Sequence, residues 1–246
     1  MRSSNPTLGQ NTFTKTIAEE GAERMTLQGA VNKTFILLGL VLLTSIISWN
    51  YILTTADGAL AMPIMMGGAI GGLIFALVTT FKPQWSAITA PVYALLEGLF
   101  LGTISAFYES QFPGIVLQAV LLTMGTLLCL LVAYRTGLIK ATENFKLGVF
   151  AATGAIATVY LISFILSFFG VHMAFLHDSG PLGIGLSIFV VIIAALNLVL
   201  DFDFIENGAE SGAPKYMEWY AAFGLMVTLI WLYLEFLRLL AKLNRR

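Results

Sequence analysis

Seven apolar stretches divide this chain, and its polar residues gather at the junctions between them. The stretches cover residues 33–53, 63–81, 87–108, 114–134, 147–169, 181–204 and 217–241. A hydrocarbon core about 30 Å thick is crossed by roughly 20 helical residues, so each stretch is predicted to be a spanning helix. Pro63, Pro113 and Pro181 stand where helices would begin, the position at which a missing N–H does no harm. Residues 1–30 form a polar tail with a charge cluster at Glu19, Glu20, Glu23 and Arg24. No charged segment is followed at once by an apolar core and a small-residue cleavage site, so the first stretch is expected to be a retained span. The chain therefore divides into a tail, 1–30, and a single transmembrane domain, 31–246.

Composition agrees with that class: 58% of residues are hydrophobic and 11% charged, against about 25% charged in soluble domains. The expected surroundings are a lipid bilayer. A net charge of −1 gives no reason to expect nucleic acid, and a lone cysteine, Cys129, permits no intramolecular disulfide. With a cytoplasmic N-terminus, Lys82, then Arg135, Lys140 and Lys146, then Lys215 fall in loops on the cytoplasmic side, and the opposite loops hold no Lys or Arg. The positive-inside rule thus places the N-terminus in the cytoplasm. Seven full crossings would put Arg245 and Arg246 outside; a re-entrant late segment is the other solution, and both stay open at this point. Gly67 and Gly71, Gly68 and Gly72, and Gly98 and Gly102 have the four-residue spacing that lets helix backbones approach closely. No inverted repeat of the transporter type is legible.

A charge near the bilayer centre costs about 2.5 to 3.5 kcal/mol on insertion scales, so polar residues inside spans are the functional candidates. Glu97 lies in PVYALLEGLFLG; if Pro91 opens that helix, the acid is only about 9 Å inside it. It is either bonded to a neighbouring helix or part of an ion path. Asn197 and Asp201 are four residues apart and share a helix face, whereas Asp203 turns almost to the other side. Asp201 is taken as the inward acid, and Asp203 as an interfacial or N–H-bonded one. In the last stretch Gly224, Thr228, Trp231, Glu235, Arg238 and Lys242 form one stripe at spacings of 4, 3, 4, 3 and 4. Glu235 either faces inward, paired with Arg238 or with an acid across the bundle, or snorkels with Arg238 at the membrane edge.

ALLEGLFLGTISAFYES in the third span, LVLDFDFIE closing the sixth and WLYLEFLRLL in the seventh, with a short basic loop between the fourth and fifth, resemble the Bax inhibitor family. That family is also called the transmembrane Bax inhibitor motif or YccA-like family. The resemblance covers roughly residues 31–241, and the polar N-terminal extension is similar to its bacterial branch, hence a cell (inner) membrane. It implies an all-α bundle of seven transmembrane helices with the C-terminal helix central. It also implies calcium leak across the membrane, gated by pH through acids on the sixth and seventh helices. Carried over by residue, the sixth-helix acid falls on Asp201, which would be the calcium contact. The seventh-helix position is either Glu235, by matching LYLE, or Thr228, by matching LRLL and keeping the hairpin short. For a turn near Gly212, Glu235 would miss the depth of Asp201 by about 18 Å and Thr228 by about 7 to 8 Å at helical rise. The second matching makes Thr228 a neutral partner of Asp201.

Two carboxylates in a low-dielectric space cannot both ionise cheaply, so such a pair shares a proton and acts as a latch. Deprotonation would open it and leave hard oxygen ligands of the kind calcium prefers. With Thr228 in place of one acid the repulsive half is missing, and a weaker or shifted pH dependence follows. No cofactor is implied beyond calcium as permeant ion. Enzyme classes are not favoured. Ser187 sits in GLSI rather than Gly-x-Ser-Gly, His172 and His177 lie in a loop, and HExxH, YD and GxGD do not occur. A proton-coupled transporter could use the same acids. The main alternative is a non-conducting regulator that binds a membrane protease or a stress- or death-pathway protein.

Overall fold

The computed structural model describes residues 23–55, 59–170, 173 and 178–245. Most of the polar tail, both histidines and Arg246 therefore lie outside the described residues. Seven long helices account for nearly all of the rest: α1 Leu27–Thr54, α2 Ala61–Phe81, α3 Ser86–Gln111, α4 Ile115–Arg135, α5 Glu143–Phe168, α6 Pro181–Glu210 and α7 Met217–Asn244. A 3-10 turn, Pro83–Trp85, leads into α3. Each helix corresponds to one apolar stretch and is long and apolar enough to cross a membrane. The largest differences are the early start of α1 and the late end of α6, where polar residues extend the helix beyond its hydrocarbon-length part.

Local chemistry explains the boundaries. Thr26 caps α1 by accepting from the Gly29 N–H, and Thr142 caps α5 by accepting from Phe145. At the end of α6 the Gly212 N–H donates to the Ala209 carbonyl and the Ala213 N–H to the Gly208 carbonyl. Gly212 between them has φ 69°, the left-handed residue that this paired C-terminal closure requires. Pro91 does not open α3 but lies inside it. Glu97 is thus eleven residues from the helix start at Ser86, about 16 Å along the axis, rather than near an edge. The proline is tolerated because it costs only one N–H in the second turn.

The chain forms two compact units: the residues up to Phe107 with Asp203–Met226, and Tyr108–Phe202 with the residues from Val227 onward. In the first, small residues bring backbones together. A Cβ added at Gly68 of α2 would lie 2.7 Å from the Leu96 carbonyl of α3, and Gly98 and Gly102 of α3 press on Val41, Thr44, Ser45 and Ser48 of α1. Gly67, by contrast, meets nothing within 4 Å, so its four-residue spacing marks no contact. The starts of α1, α3 and α7 share one end of this unit. Met25 N–H donates to the Ala213 carbonyl, and the Ser86 hydroxyl to the Tyr216 carbonyl at 2.9 Å.

In the second unit Ile156 of α5 and Val190 and Ile193 of α6 form a core onto which Tyr160 and Trp231 close. The end of α7 lies by the start of α6, where Lys242 Nζ donates to the Gly183 carbonyl. It also lies by the α3–α4 turn, where Arg245 stands 5.9 Å over the Phe112 ring. The last helix contributes to both units and is the most enclosed of the seven: 56% of its most apolar window is buried, against 11% for α5. Large apolar side chains such as Phe35, Ile88, Leu117 and Leu147 point outward, as a lipid-facing surface requires.

Candidate functional site

The polar stripe on α7 faces protein. Thr228, Glu235 and Lys242 are all buried; the 3.6-residue period puts them on one face of a helix whose other face, with Met226, Ile230 and Leu237, is buried too. Three acceptor or donor groups on this stripe, together with α5 and α6, build the candidate site in the second unit.

The first part is Asp201 with Thr228. The Thr228 hydroxyl donates to the Asp201 carboxylate. Asp201 stands nine residues before the end of α6 at Glu210, and Thr228 eleven after the start of α7 at Met217. The connecting turn lies between these helix ends, so the two residues are nearly level. Placing the turn at Gly212 alone accounts for most of the mismatch expected from the sequence. The other carboxylate oxygen, Oδ2, is buried and has no hydrogen-bond partner among the described residues. A buried carboxylate oxygen with no donor is costly in an apolar medium, so a proton, water or cation gains by meeting this atom.

Asn197, one turn earlier on α6, faces α5. Its side-chain amide donates to Thr153 Oγ1 at 2.8 Å and to the Ile193 carbonyl at 2.8 Å, so it tethers the helix that carries Asp201. Asp203 falls in the other unit, where its backbone carbonyl accepts from Asn207. Glu97 is also in that unit. It is half-buried, with its carboxylate laid against Gly72 of α2, where an added Cβ would come within 2.8 Å of Oε1.

The second part is Glu235. Its side chain is 1% exposed, and Oε1 accepts three donors: the Tyr160 hydroxyl at 3.1 Å, Trp231 Nε1 at 3.3 Å and Arg238 Nη1 at 2.8 Å. The Tyr160 hydroxyl in turn accepts from Arg238 Nη1 at 2.6 Å, and the guanidinium stands 5.1 Å over the Tyr160 ring. The inward pairing is therefore the one found, with Arg238 reaching outward at 38% exposure. Glu235 Oε2 is buried and has no hydrogen-bond partner among the described residues. Two turns on from Glu235, Lys242 Nζ donates to Ser187 Oγ at 2.9 Å as well as to the Gly183 carbonyl.

Tyr160, Thr153 and Ser187 were not singled out as partners from the sequence. Tyr160 and Thr153 are among several polar groups, with Thr158 and Ser163, that interrupt the apolar run of α5, and the sequence does not single them out. Among the described residues no three His, Cys, Asp or Glu side chains converge to hold a metal ion. A cation at Asp201 would meet one carboxylate rather than a chelating cluster.

No curated protein and no solved structure matches the chain. The seven apolar helices and the acids on α6 and α7 do, however, lie within a family match that takes in almost every residue. The model described as Bax inhibitor 1 like covers residues 5–245, and the chain belongs to that family of membrane proteins.

Proposed function

We propose that this protein is a pH-sensitive cation leak, with calcium as the permeant ion and Asp201 as the group whose protonation sets it. The observation that carries the reading is the buried, unpartnered Oδ2 of Asp201 beside a neutral hydroxyl donor. In the protonated state the group is neutral and offers a cation nothing. Ionised, it presents a charged hard oxygen that no protein donor occupies, which suits calcium. A single carboxylate binds a divalent ion weakly, and weak binding is what passage requires. Since Thr228 stands where a second acid would supply repulsion, opening depends on the charge of Asp201 alone, and flux rises with pH over a shallow range.

Orientation supports a multi-pass protein of the cell membrane with its N-terminus inside. The ends carrying Lys82 and Lys215 lie with the start of α1, as even numbers of crossings require. The end of α7 lies with the α3–α4 turn and the start of α6, which favours seven full crossings over a re-entrant segment.

The test is calcium entry into liposomes containing the purified protein, loaded with an indicator, from pH 5 to 8. Flux that rises with pH is the expected result. No flux at any pH overturns the reading, and a membrane protease that co-purifies with a silent protein would then favour the non-conducting regulator.

A further inference from the structure

Residues 23–26 run back along the α6–α7 turn and are fastened to it. The Met25 N–H donates to the Ala213 carbonyl at 2.7 Å and the Lys215 N–H to the Glu23 carbonyl at 3.1 Å, pairing Arg24 with Pro214 in a one-step antiparallel bridge. Met25 and Ala213 are each 3% exposed. Just beyond, Glu218, 1% exposed in the first turn of α7, accepts the Thr26 N–H at 3.0 Å and the Thr26 hydroxyl at 2.9 Å through Oε1, with Lys215 Nζ at 3.5 Å as counter-charge. The same threonine hydroxyl accepts from Gly29. Gly29 itself sits so close to the Glu218 carboxylate that a Cβ there would collide with it. Farther along α1, Lys33 Nζ lies 5.0 Å over the Trp219 ring.

One carboxylate thus answers the positive ends of two helices, α1 and α7. Thr26 could cap α1 alone. What the buried acid adds is a tie between the entry of the chain and the turn that joins the helices bearing Asp201 and Thr228. The tie is short: two backbone hydrogen bonds, two hydrogen bonds from Thr26 to Glu218 and the buried Met25, with Arg24 and Thr26 on the surface. Such an element can open without unfolding the helices it joins. From Glu218 to Thr228 α7 is one uninterrupted helix of about 15 Å, so a shift at its start is carried to the site residue.

We infer that residues 23–26, pinned by Glu218, are a latch on the α6–α7 turn that holds the leak low, and that release of the latch raises it. This rests on the leak reading above. The hydrogen bonds flank the Arg24–Pro214 pair rather than joining it, so their Cα atoms are about 4.5 Å apart, inside the range a disulfide spans. The experiment uses the full chain with Cys129→Ser, Arg24→Cys and Pro214→Cys in liposomes. Calcium flux is compared in one sample oxidised and then reduced, beside Thr26→Val, which removes the hydroxyl but keeps its shape.

The expected result is flux lower by about fivefold or more when oxidised, the lower end of measured couplings, and restored on reduction. Thr26→Val should raise flux and speed amide exchange across residues 211–222. Flux that is equal in the fully crosslinked and reduced samples overturns the latch and leaves the leak standing. No flux in any sample overturns both.

Discussion

Asp201 and Glu235 are both acids on the inner faces of apolar helices, and each keeps one buried oxygen without a donor. They differ in what holds the other oxygen. Asp201 takes a single neutral hydroxyl from Thr228. Glu235 takes a phenol, an indole and a guanidinium on Oε1. A guanidinium at 2.8 Å gives Glu235 a counter-charge of its own. A hydroxyl brings Asp201 no counter-charge. Matching acid for acid would choose Glu235 as the partner in a gate, whereas the geometry brings Thr228 to Asp201 and gives Glu235 a separate task in fastening α5 to α7.

The largest effect that can break this comparison is expected from Asp201→Asn. It removes a charge whose attraction for even a unit positive charge at 4 Å is about 4 kcal/mol at an effective dielectric of 20, so a third of that changes flux by about tenfold. Flux should fall by that much at pH 8 and become flat from pH 5 to 8. A variant that keeps the wild-type pH profile would take the switch away from Asp201. Thr228→Asp sharpens the same point by supplying the acid that is missing. Two coupled carboxylates then titrate as a pair, and the pH dependence of flux should become steeper than that of the wild type. An unchanged slope would mean that Thr228 does not face the switching group.

Arg238→Met probes the other side. It leaves Glu235 buried with its charge uncompensated, which costs about 3 kcal/mol, the low end for a broken buried pair because Arg238 is 38% exposed. A clear drop in melting temperature in detergent is expected, and Glu235→Gln in the same protein should recover much of it. Equal melting temperatures for Arg238→Met and wild type would make the ion pair a surface contact.

What could be read from the sequence follows from which forces act within one helix. Apolar length fixes a span, so all seven helices were legible, and the 4-3-4-3-4 stripe showed which polar groups of α7 share a face because period is a property of one helix. The level of Thr228 with Asp201 was nearly legible too, and was limited by taking the turn as the point Gly212 instead of a stretch between Glu210 and Met217. Partners on other helices were not. Nothing in the pattern of α7 tells that Tyr160 meets Glu235, or that Thr153 rather than Asp201 receives Asn197, because those contacts depend on helix rotation and depth. The tie of Thr26 to Glu218 spans 192 residues and leaves no periodic trace at all. Pro91 misled for a local reason: a proline is welcome at a helix start and is tolerated in the second turn, and the residue type alone does not separate the two.

The smallest effect, and the most discriminating, is expected from Tyr160→Phe. The hydroxyl donates to Glu235 and accepts from Arg238, so its loss costs about 1.5 to 2 kcal/mol of stability, the low end for hydrogen bonds to charged groups. The ring and its place over the guanidinium remain, so the fold and the ion pair persist. If Glu235 is a fastening and Asp201 the switch, the melting temperature falls slightly while the pH at which flux is half-maximal stays where it is in the wild type. A moved pH profile in Tyr160→Phe, with little change in stability, would show that Glu235 titrates along with Asp201. The two acids would then be one device, and the distinction between them would be lost.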